Sequence, residues 1–209
     1  MGMENSLLYW EQFRKESAMN IQLISVSKEY NGRQVLKEVD LNFLEGRINC
    51  LMGPSGIGKT TVMNLLMKLD TPDSGRILGM EGRRVAVCFQ EDRLIEDWDA
   101  VSNVQLVCGK KITKEMIEKE FSKVGLEDSK DKPVRTLSGG MRRRVAMIRA
   151  MNIPSDVILM DEPLKGLDEE LKYKVIDYIK EKSRGKTVII ITHEIEEAKR
   201  LGGNIVELK

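Results

Sequence analysis

Residues Gly53-Pro54-Ser55-Gly56-Ile57-Gly58-Lys59-Thr60 fit the pattern G-x-x-x-x-G-K-[ST]. Before them runs the apolar segment Ile48 to Met52. Behind them Val62, Leu65, Leu66 and Leu69 recur at i, i+3, i+4 and i+7. This order predicts a buried strand, a tight loop and a helix with one apolar face. Glycines let backbone N–H groups turn inward around a polyphosphate, and the helix start adds its positive end. Lys59 would reach the β- and γ-phosphates, and the Thr60 hydroxyl would ligate Mg²⁺. The stretch therefore predicts a nucleoside triphosphate cradle built from Gly53, Pro54, Ser55, Gly56, Gly58, Lys59, Thr60 and Thr61.

Outward from this loop, short apolar runs alternate with helical patterns. Strands are expected over Ile21 to Val26, Val35 to Phe43, Val85 to Phe89, Val157 to Met160, Val188 to Ile191 and Asn204 to Leu208. Asn31-Gly32 marks a turn between the first two. Helices are expected over Met141 to Met151, Glu169 to Lys182 and Glu194 to Leu201. Residues 91–137 read as mostly helical and charged. Unalternated apolar strands separated by helices imply an α/β fold with a mostly parallel sheet covered on both faces.

Val157-Ile158-Leu159-Met160 runs into Asp161-Glu162. Two carboxylates at the end of an apolar strand suit the loop chemistry: Asp161 can hold a Mg²⁺ shell and Glu162 can polarise an attacking water. No N-K-x-D motif is present, which argues against guanine recognition.

Composition narrows the class. The chain has 209 residues, 34 basic and 33 acidic, for a net charge of +1. That balance argues against a nucleic-acid partner. The longest apolar run, Val85 to Phe89, has five residues, whereas a membrane helix needs about 20. Cys50, Cys88 and Cys108 are scattered and read as buried thiols of a reduced, cytoplasmic protein. With one histidine, a zinc site is not expected. Residues 1–18 mix Leu7, Leu8, Tyr9, Trp10 and Phe13 with charges. They read as an extension rather than a docking helix, with the domain spanning 19–209.

Leu137-Ser138-Gly139-Gly140-Met141 resembles the LSGGQ signature of ATP-binding cassette (ABC) ATPases, and it precedes Asp161-Glu162 as in that family. The resemblance covers nearly the whole chain from Ile21. It implies a P-loop NTPase core, an antiparallel β subdomain trimmed by the short Gly75 to Phe89 interval, and an inserted α-helical subdomain over about 91–137. It also implies roles for single residues. Tyr30 would stack on adenine. Gln90 would contact Mg²⁺ and water. Asp168 would communicate between subunits, and His193 would contact the γ-phosphate. Ser138, Gly139 and Gly140 would cap ATP held by the partner copy. Met141 replaces the usual Gln, which puts in doubt a polar side-chain contact at the dimer seam.

The stretch Phe89-Gln90-Glu91, Arg93-Leu94, Trp98, Val101 and Asn103-Val104 further resembles bacterial importers of the nitrate, sulfonate and taurine type. The implied protein is an ATPase that binds ATP and Mg²⁺ and pairs head-to-tail with a second copy. It would sit peripherally on the cytoplasmic face of the membrane, under transmembrane permease subunits with a solute-binding protein. An exporter ATPase subunit is the nearer alternative reading, and a non-transport ABC ATPase the more distant one.

Overall fold

The computed structural model describes residues 19–108 and 112–209; the extension 1–18 lies outside the described residues. In chain order the strands and helices are β1 (Ile21–Tyr30), β2 (Arg33–Phe43), β3 (Ile48–Met52), α1 (Lys59–Leu66), β4 (Ser74–Leu78), β5 (Val85–Cys88), α2 (Ala100–Gln105), α3 (Lys114–Lys123), α4 (Gly139–Asn152), β6 (Val157–Asp161), α5 (Glu169–Lys182), β7 (Thr187–Ile191), α6 (Ile195–Leu201) and β8 (Asn204–Glu207).

Two sheets organise them. The larger has the order β5-β6-β7-β3-β8, and every pairing in it is parallel. The smaller, β2-β1-β4, is antiparallel. Asn31 and Gly32, both at positive φ, close the β1–β2 hairpin. Side chains of the parallel strands alternate between two cores. Val157, Leu159, Ile189 and Ile191 pack toward α1 and the antiparallel sheet. Ile158, Met160, Val188 and Ile190 pack toward α4, α5 and the inserted segment. Both faces are covered, so these strands read as unbroken apolar runs.

Three expectations need correction. The helix after Lys59 ends at Leu66, and Lys68 follows in a left-handed conformation. Leu69 therefore leaves the apolar face and is 66% exposed. The inserted segment is less helical than its charge pattern suggests. Fully buried Asn103 explains part of this: its amide donates to the carbonyls of Ile95 and Asp99 at 3.0 Å and accepts from the Ile95 N–H at 2.8 Å. Those bonds give the 95–99 backbone a satisfied, non-helical path. Cys50 and Cys88 are buried, and burial pushes each thiol up to about 12, but Cys108 is only half-buried. No helix among the described residues is long and apolar enough to cross a membrane.

Candidate functional site

Parallel pairing sends the carboxyl ends of β3, β5, β6 and β7 to one edge of the sheet, where open α/β folds bind ligands. The segments leaving that edge begin at Gly53, Phe89, Glu162 and Thr192. They enclose a cavity of about 380 Å³. Ser55, Gly56, Gly58, Lys59, Thr60, Thr61, Gln90, Asp161, Glu162 and His193 line it, with Val35, Lys165 and Ile191. Ten residues singled out from the sequence are thus brought together.

Two glycines of the loop after β3 sit where a side chain would clash. A Cβ on Gly53 would lie 2.6 Å from the Leu208 carbonyl oxygen, and one on Gly58 would lie 2.6 Å from Leu36 Cδ2. Gly58 has φ +108 and caps α1 without a side chain. Lys59 is buried, and its ammonium donates to the Gly53 and Pro54 carbonyls at 2.8 Å. Burial lowers its pKa, against the opposing fields of Glu162 and Asp161. An ammonium has three donors, so one remains for a phosphate oxygen.

At the end of β6 the two carboxylates diverge. Burial, then the neighbouring Glu162, raises the pKa of Asp161. The Lys165 ammonium, set against partial burial, lowers that of Glu162. Glu162 adopts φ +48, and its N–H donates to the Ile191 carbonyl at 3.0 Å, which pegs the β6 end to β7. Its carboxylate is held from two sides: Oε1 lies 2.6 Å from His193 Nε2 and Oε2 lies 2.6 Å from Lys165 Nζ. The Thr60 hydroxyl, the Gln90 amide and the Asp161 carboxylate are oxygen donors around the same cavity. That donor set fits a hard divalent cation such as Mg²⁺.

Two further contributors were not singled out from the sequence. Lys165 is one. Arg143 on α4 is the other: it donates to the Glu162 carbonyl at 3.1 Å and, in a short bond, to the Gln90 carbonyl. The run Arg142-Arg143-Arg144 was visible, but nothing in it says which guanidinium faces the site. Arg144 instead turns inward to the Val124 and Gly125 carbonyls.

Tyr30, Asp168 and Ser138 to Gly140 do not line this cavity, although Tyr30 adjoins it at Thr61. Tyr30 is part-exposed at the end of β1, and its hydroxyl donates to Asp70 at 2.5 Å. Asp168 caps α5 by accepting from the Leu171 N–H at 2.9 Å. Ser138 caps α4 by accepting from the Met141 N–H at 3.3 Å. Ser138 and Gly139 are exposed, while Met141 is half-buried and packs against the core.

A family model described as ABC transporter matches residues 36–165. The chain belongs to the ABC transporter family. Among its relatives, a taurine import ATP-binding protein of Ruegeria pomeroyi is 36% identical over 91% of this chain and 77% of its own length. A spermidine/putrescine import ATP-binding protein of Mesoplasma florum is 34% identical over 89% of this chain. The ABC chain described here spans only 58% of that relative. A solved dimeric structure of a bacterial ABC transporter cassette aligns with a TM-score of 0.78 at 30% identity, covering 90% of this chain and 94% of that one. Its fold is therefore that of ABC cassettes.

Proposed function

We propose that this chain is the ATP-hydrolysing subunit of an ABC importer, working as a head-to-tail pair on the cytoplasmic face of the membrane. The observation that carries this reading is a division. Lys59, Asp161, Glu162 and His193 share one cavity, while Ser138 to Gly140 do not line it, with Ser138 and Gly139 exposed and Gly140 half-buried. Polar groups at a helix N-terminus with no phosphate-bearing neighbour in their own chain suit ATP held on another copy. A dimeric cassette structure among those this chain resembles supports a paired form.

In this reading the loop N–H groups from Ser55 to Thr60 and the Lys59 ammonium bind the β- and γ-phosphates, with Pro54 shaping the turn and Thr61 at its end. Tyr30 offers its exposed ring to the adenine. Thr60, Gln90 and Asp161 hold Mg²⁺, which when bound neutralises charge on the phosphates. Glu162 is ionised at neutral pH, since its pKa is lowered. It orients the attacking water and takes its proton. His193, 2.6 Å from Glu162, contacts the γ-phosphate. Ser138, Gly139 and Gly140 close over the partner's ATP, and Asp168 lies at the seam.

The import reading is supported by relatives named for taurine and for spermidine/putrescine. Taurine is a zwitterion and the polyamines are polycations, so solute choice falls to transmembrane permease subunits and a solute-binding protein rather than to the ATPase. Glu162→Gln should bind MgATP, lose turnover by roughly 10²- to 10⁴-fold and accumulate as a dimer in size-exclusion chromatography. A monomer at saturating MgATP, with the permease present, would refute the paired site. Co-purification with an exporter-type membrane protein would refute import.

A further inference from the structure

His193 follows β7 on a short connection, and a closed set of polar contacts lies behind it. Thr192 is 2% exposed, and its hydroxyl donates a short hydrogen bond to Glu197 Oε2. The Thr192 hydroxyl oxygen also accepts from the Glu194 N–H at 3.2 Å. The other oxygen of Glu197 lies 2.9 Å from the Lys172 ammonium, which also holds Glu194 at 2.8 Å. Both chain neighbours of His193 are therefore tied to one cation on α5. Lys172 is one turn into that helix, and its N–H donates to the Asp168 carbonyl at 2.8 Å.

The pair is set apart from the surface ion pairs by burial. The Glu197 and Lys172 side chains are 7% and 18% exposed, whereas Glu196 and Lys199 are 68% and 61% exposed. A buried carboxylate is costly unless it is paired and hydrogen-bonded. A buried pair adds little net stability over apolar packing, so its best-supported use is to specify a geometry. Here the geometry specified is that of the backbone on either side of His193.

We propose that Lys172 and Glu197 are positioning residues that hold His193 at the cavity and tie its segment to the Asp168 segment. The catalytic consequence rests on the ATPase reading above; the mechanical one does not. The chain contains one histidine, so the His193 imidazole gives a single assignable signal in ¹H–¹³C NMR.

The test uses the full chain as wild type, Lys172→Met, Lys172→Arg and Lys172→Met with Glu197→Gln. The last variant removes the buried unpaired charge should Lys172→Met alone not fold. Lys172→Met, or the double variant in its place, should shift the His193 signal without nucleotide. It should also lower kcat roughly ten- to a hundredfold, with KM for MgATP held within about twofold. Lys172→Arg should restore the signal position and most of kcat. An unmoved His193 signal in the neutral variants would overturn the clamp, whatever happens to turnover. A moved signal with wild-type kcat would overturn its role in positioning for catalysis. Wild-type protein without any ATPase activity would instead count against the function proposed, while the NMR arm would still judge the clamp.

Discussion

Two glycine-containing segments of this molecule serve opposite masters. In the loop from Gly53 to Gly58 the chain itself demands glycine: added Cβ atoms on Gly53 and Gly58 would meet the Leu208 carbonyl and Leu36 at 2.6 Å. At Gly139 and Gly140 nothing among the described residues does. A Cβ on either would find no atom within 4 Å, and neither residue needs a positive φ. The first segment is shaped by its own fold. The second starts α4 without needing glycine for that fold, and the proposed close approach of a second copy would give its glycines a purpose. That contrast is what the proposed site, divided between two copies, requires.

The largest effect is expected at Gly139. Gly139→Asp adds an anion where the partner's nucleotide would sit, at a helix N-terminus that tolerates acids. ATP turnover should fall by roughly 10²-fold or more, with Tm within about 2 °C of wild type. A variant with normal turnover would mean that this helix start is not part of the site. Gly53→Ala should show the reverse. Its stability should drop by about 2–3 kcal/mol in urea unfolding, because backbone rather than a flexible side chain blocks the new methyl. An unchanged midpoint would show that the loop can yield.

A smaller effect tests whether the support of Tyr30 is also internal. The Tyr30 hydroxyl, the Lys28 ammonium and the Thr71 N–H hold Asp70 down to about 2, against an ordinary 3.8. A carboxyl depressed by folding stabilises the fold above the unfolded pKa, and that contribution is lost as pH falls through the folded value. Asp70→Asn should therefore lower Tm slightly at pH 5. The gap from wild type should close as pH is taken from 4 to 2. A gap that persists at pH 2 would show that the aspartate acts through packing instead.

Much of this was legible because it is local. The loop pattern, the strand into Asp161-Glu162 and the Asn31-Gly32 turn each lie within a few residues, and their periodicities match the elements observed. The helix over Glu169–Lys182 is legible to its ends, since the apolar spacing persists throughout. Leu69 misled because its spacing continued the pattern beyond the point where Lys68 turns left-handed. Other features were hidden because they join distant residues. Arg143 reaches Gln90 across 53 residues of chain. Lys172 reaches Glu194 and Glu197 from another helix.

The sequence by itself determined the chemistry present: a phosphate loop, two carboxylates, one histidine and a Ser-Gly-Gly helix start, each written in contiguous residues. Only the tertiary structure decided which of them meet. Parallel pairing gathered the first three at one sheet edge and left the fourth outside. The tertiary fold also chose Arg143 and Lys172 from many cations, because partnership across the fold depends on direction and distance that no local pattern encodes.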